Sequence, residues 1–88
     1  MEINLYDLYN KIKDLKELVI YSGDMVDIEI FYGIVKENNK FYAVYRENNA
    51  GFYGVVNEYG ADTEVEAIKD INEFKNKILK MVEIDKTL

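Results

Sequence analysis

The sequence predicts an α+β domain, an antiparallel meander sheet of three to four strands flanked by an N-terminal and a C-terminal helix in the order α-β-β-β-(β)-α. Three observations predict it. Leu5, Leu8, Ile12, Leu15 and Val19 recur at steps of three and four, the spacing of one helical stripe. Between Leu18 and Asn57, β-branched and aromatic runs are broken by polar connections at hairpin spacing. From Thr63 a second helical stripe begins behind a capping-box pair, Thr63 and Glu66.

The first helix is expected from about Leu5 to Leu15, with Asn4 as N-cap and Asp7 in the first turn, where the helix dipole favours an acid. Lys11, Lys13 and Lys16 gather toward its other end, as the dipole prefers. Leu18 to Tyr21 reads as a strand, and Ser22-Gly23-Asp24 as the turn that ends it. Met25 to Val35 alternates: Val26, Ile28, Ile30, Tyr32 and Ile34 share one side, and Asp27, Glu29, Phe31 and Val35 the other. Lys36 to Lys40 is a polar connection whose Asn38-Asn39 pair tolerates the left-handed conformation. It closes a hairpin onto Phe41 to Arg46, and a second connection, Glu47 to Gly51, leads to Phe52 to Asn57. The last helix is expected from Thr63 to about Val82, presenting Val65, Ile68, Ile71, Phe74, Ile78, Met81 and Val82, with Glu83 to Leu88 as a loose tail. Both helices are expected on one sheet face, leaving the other polar.

With 88 residues, 49% hydrophobic and 32% charged, the chain is sized for one folded domain. It contains no histidine and no cysteine, so the commonest general base, metal ligand and activated nucleophile are absent. Ser22 lies in a turn and Thr63 is a helix cap, so no nucleophilic triad can be assembled and no enzymatic activity or cofactor is expected. Asp24, Asp27 and Glu29 offer hard oxygen ligands, but they also fit an ordinary wet sheet face, and the EF-hand spacing is missing. No metal site is expected.

The start, MEINLYDLYN, lacks the layout of a signal peptide, and no apolar run is long enough to span a bilayer, so a cytoplasmic location is expected. A net charge of −6 disfavours direct contact with nucleic acid or anionic membrane and favours a basic protein partner.

Acids are densest between Glu58 and Glu73, where only Lys69 opposes them. The dipole explains acids in a first helical turn without any partner. The functional reading is that Glu58, Tyr59, Asp62, Glu64 and Glu66, joined by Asp24, Asp27 and Glu29, form one acidic, tyrosine-bearing surface that occupies a basic nucleic-acid groove on another protein. The chain has eight tyrosines, of which Tyr32, Tyr42 and Tyr53 read as sheet packing and Tyr6, Tyr9, Tyr45 and Tyr59 as exposed anchors.

Two family resemblances accompany this reading. Residues 41–71, with strand FYAVYRE, a turn ending in Gly51, strand GFYGVV, then Asp62-Thr63 and Glu66-Ala67 opening a helix, resemble the core of HicB-type antitoxins. That resemblance implies an acidic inhibitor of a toxin nuclease. In size, charge and layout the whole chain is similar to small phage-encoded anti-CRISPR proteins, which implies a non-enzymatic inhibitor that occludes the nucleic-acid site of a CRISPR nuclease or effector complex. The alternative from another class is a structural domain that forms a homodimer through a sheet edge.

Overall fold

The computed structural model describes residues 4–48 and 51–87. Its elements are α1 (Leu5–Asn10), β1 (Lys16–Ser22), β2 (Met25–Glu37), β3 (Lys40–Glu47), β4 (Phe52–Val55) and α2 (Glu64–Thr87). Among these residues the strands form a four-stranded sheet in the order β1-β2-β3-β4, each antiparallel to the next. The expected meander is present, with its fourth strand. In the expected Glu47–Gly51 connection, Asn49 and Ala50 lie outside the described residues, as does Leu88 of the expected tail.

Turn chemistry sets the hairpins. Asn38 and Asn39 take φ values of 52° and 64°, the type I′ geometry whose twist matches antiparallel strands. The β2–β3 turn is therefore these two residues alone, and Glu37 pairs with Lys40 across it. Gly23, with φ of 65°, fills the first central position of the β1–β2 turn, where a type II′ turn takes glycine. Beyond that turn the register slips: Tyr21 faces Val26 and Ile20 faces Ile28, which leaves Asp27 as the extra residue of a bulge. Val26 thus leaves the row of Ile28, Ile30 and Tyr32, and it is exposed.

The helices lie on opposite faces of the sheet, which corrects the expectation of one covered and one polar face. Leu8 of α1 packs with Val35, Tyr42 and Val44, joined by Tyr9, Ile12 and Val55. Ile71 of α2 packs with Ile30, Tyr32 and Ala43, joined by Phe74 and Ile78. Ala43 and Val44 are adjacent in β3, point to opposite faces, and are both 0% exposed. Only a strand covered on both sides can bury two successive residues.

Both helices differ in extent from expectation. α1 stops at Asn10 because Lys11 N–H donates to the Leu8 carbonyl (3.0 Å) and Ile12 N–H to the Tyr9 carbonyl (3.1 Å), tightening the last turn. Ile12 then packs over Gly33, where any Cβ would collide with its Cγ2, so the chain crosses the sheet closely there. Leu15, expected in the stripe, is left exposed, and Val19 belongs to β1. α2 continues to Thr87, since no glycine or proline follows Gly60 to stop it. Its inward face is Ala67, Ile71, Phe74 and Ile78, while Val65, Ile68 and Met81 are exposed.

Beyond β4, the chain stays stitched to β3. Val56 N–H donates to the Ala43 carbonyl (2.9 Å), and the Asn57 side chain accepts from Ala43 N–H (2.8 Å) and donates to the Phe41 carbonyl (3.0 Å). Phe41 and Ala61 then exchange two backbone hydrogen bonds of 2.8 Å. An amide side chain stands in for a strand backbone, and it fixes where α2 begins.

Candidate functional site

The residues from Glu58 to Glu66 form the turn and the first helical turn at the α2 entrance. Thr63 caps the helix: its Oγ1 accepts from Glu66 N–H (3.2 Å) and its carbonyl accepts from Ala67 N–H (3.3 Å). Tyr59 is 84% exposed and Val65 is 76% exposed, and Glu58, Glu64 and Glu66 around them are exposed as well. An aromatic ring and a valine left in water among carboxylates are the parts of a contact surface that helix capping does not account for.

Asp62 differs from its neighbours. Lys40 Nζ donates to its carboxylate in a short ion pair across the sheet end. This hydrogen bond first, and then the opposite charge, hold the Asp62 carboxyl below its ordinary value and the Lys40 ammonium above its own. Asp62 is thus partly neutralised within the chain, and it fixes the corner more than it adds to its field.

Asp24, Asp27 and Glu29 lie elsewhere. They sit at the β1–β2 end of the sheet, whereas Asp62 reaches Lys40 at the β2–β3 turn. At the usual rise per residue, the Asp27 and Glu37 positions of β2 are roughly 30 Å apart. Glu29 is engaged locally: its Oε1 accepts from Asn48 Nδ2 (2.8 Å), and its carbonyl accepts from Asn48 N–H (2.9 Å). The one continuous acidic surface expected from the sequence is therefore two separate groups. Among the described residues, no three acids gather at a spacing suited to a metal ion.

The tyrosines also sort differently. Tyr32 and Tyr42 are buried as expected, and Tyr53 meets Tyr6 and Tyr9 edge-on at 5.5 and 5.2 Å. Tyr45 is not an exposed anchor: its ring lies 4.6 Å from that of Phe74, and burial pushes its hydroxyl pKa up. Burial likewise raises Tyr9, against the pull of the nearby Arg46 charge. Of the four expected anchors, Tyr6 and Tyr59 are exposed, and Tyr59 is the more so, since Tyr6 meets the Tyr53 ring.

Sequence reasoning missed a groove on the α2 side of the sheet. It has a volume of about 810 Å³ and lies between α2, β2 and the segment joining α1 to β1. Its apolar lining is Tyr32, Ile34, Phe41, Ile68 and Ile71, and its lysines are Lys11, Lys13, Lys16, Lys36 and Lys75. Lys75 stands 4.9 Å over the Tyr32 ring and Lys36 stands 5.6 Å over the Phe41 ring. Lys11 bonds Glu37 at 2.8 Å and Lys16 bonds Asp14 at 3.1 Å. These lysines come from three separate stretches of the chain, so only the alternation of β2 and the position of Lys75 on α2 hinted at their meeting.

Comparison with protein-family models, with curated proteins and with solved structures returns no match to this chain. The geometry of its own surfaces carries the functional argument.

Proposed function

We propose that this protein is a non-enzymatic inhibitor that binds a basic, nucleic-acid-handling protein and occludes its nucleic-acid site. A CRISPR nuclease or effector complex is the partner class that the likeness to small acidic phage inhibitors suggests. The observation that carries the reading is the α2 entrance, where Tyr59 and Val65 stand exposed among Glu58, Glu64 and Glu66. Interface energy concentrates in a few aromatic and aliphatic anchors, while surrounding charges set approach and specificity. The absence of histidine and cysteine supports a binding role over catalysis.

The separation of the two acidic groups narrows the mechanism. A long phosphate-like track over Asp24, Asp27, Glu29 and the α2 entrance is not available, so occlusion would come from one compact corner. The test is competition between the purified protein and labelled DNA or guide RNA for purified CRISPR effectors, at low and high salt. The reading expects displacement of nucleic acid that weakens as salt rises and that is lost in a Tyr59→Ala, Val65→Asp double variant. Ternary complexes that keep their nucleic acid at every salt concentration would overturn occlusion.

A second reading, self-association, has its own support. Tyr21, Met25 and Val26 are exposed beside the β1 edge, and an edge strand offers unpaired backbone groups. Light scattering across a concentration series distinguishes the readings, because a stable dimer abolished by Met25→Lys favours self-association.

A further inference from the structure

The lysine-lined groove on the α2 side borders the acidic contact proposed above at Glu64, and its chemistry is the opposite. In a chain of net charge −6, five lysines border one apolar cleft, and among the described residues Asp14 and Glu64 are the acids that line it, with Glu37 paired to Lys11. A volume of about 810 Å³ falls within the usual range for sites that enclose a small organic ligand, roughly 300–1,000 Å³.

The lining selects the ligand. Ile34, Ile68 and Ile71 give an aliphatic wall, and Ile68 is 42% exposed although it faces a cleft. The rings of Tyr32 and Phe41 already carry Lys75 and Lys36 over their faces, which disfavours stacking of a nucleobase there. The overall acidity further disfavours a polyanion, whose many phosphates would meet the carboxylates outside the cleft. A single negative head on an aliphatic tail satisfies both features: the tail removes isoleucine surface from water and the head meets the ammonium groups at the rim. We propose that this groove binds a fatty-acid-type ligand, an acyl chain ending in one carboxylate, with the chain along Ile34, Ile68 and Ile71 and the head between Lys36 and Lys75.

The test is a titration of the full chain with laurate, kept below its micelle-forming concentration, followed by amide shift changes in the NMR spectrum. The uncharged alcohol of the same chain length and an acidic amphipathic peptide serve as parallel probes. Saturable laurate shifts centred on Ile34, Phe41, Ile68 and Ile71 are expected. Affinity should fall about tenfold or more in a Lys36→Gln, Lys75→Gln variant. Ile68→Glu, at an exposed position, should block the cleft while leaving the circular dichroism spectrum unchanged. Equal binding of the alcohol would overturn the role of the lysines. Shifts centred on another surface, binding unaffected by both variants, or a response to the peptide without one to laurate would overturn the site or its ligand.

Discussion

At the scale of single residues, Asn57 ties the chain beyond β4 to β3. Its amide completes two hydrogen bonds to β3 after β4 has ended, and it precedes the turn closed by Gly60 N–H to the Asn57 carbonyl at 2.8 Å. Asn57→Ala leaves the Ala43 N–H and the Phe41 carbonyl without these partners, which should cost about 1–3 kcal/mol in urea denaturation. Asn57→Asp should cost more, because a carboxylate keeps the bond to Ala43 but faces the Phe41 carbonyl with no donor. Asp62 tests the same corner by pH. Its lowered folded-state pKa means that the stabilisation from Lys40 is present above the unfolded carboxyl value and lost as pH falls through the folded one. Asp62→Asn should therefore lower the melting temperature at neutral pH, and the difference from wild type should shrink as pH falls through the lowered folded-state value. Both side chains are exposed, so added salt should shrink the neutral-pH difference.

At the scale of elements, α2 shows where hydrophobic spacing misleads. A stripe drawn through Val65, Ile68 and Ile71 places valine in the core and ignores Ala67, yet Ala67 is 0% exposed and Val65 is 76% exposed. Ala67 is fully enclosed, so a larger side chain there has no room. Ala67→Leu should thus destabilise the fold by about 1–3 kcal/mol through overpacking, whereas Val65→Ala should stay within about 0.5 kcal/mol. Thermal or urea melts of the two variants check the ranking. The strands and turns were legible because their signals are local: Asn38-Asn39, Gly23 and the alternation of β2 act over neighbouring residues. The opposite placement of the helices was harder to read, although Phe31 to Val35 and Phe41 to Tyr45 are unbroken apolar runs, the mark of strands covered on both sides. The end of α1 was not legible, because the apolar spacing runs on through Ile12, which packs over Gly33 in a distant part of the chain after the helix has ended.

At the scale of the whole molecule, shape decides which charges can act together. The fold is elongated, 43 × 22 × 22 Å, and β2 spans most of its length between two tight turns. Asp24 and Asp27 occupy one end, the α2 entrance is anchored near the other by Ala61 and Lys40, and the lysine groove lies along the flank. At physiological ionic strength, charges more than about 8 Å apart in solvent are largely screened from one another. The two acidic groups, roughly 30 Å apart along β2, therefore attract a basic partner independently, which no count of acids in the sequence could reveal. Charge reversal separates their roles. Glu58→Lys with Glu66→Lys should abolish competition with nucleic acid for the partner. Asp24→Lys, at the far end, should leave that competition intact and change only the association rate at low salt. Stopped-flow association and equilibrium competition on the same variants check this, with circular dichroism confirming the fold. Reversal at Asp24 that abolishes equilibrium binding would mean that both ends touch the partner at once, and the compact corner would then be the wrong description of the interface.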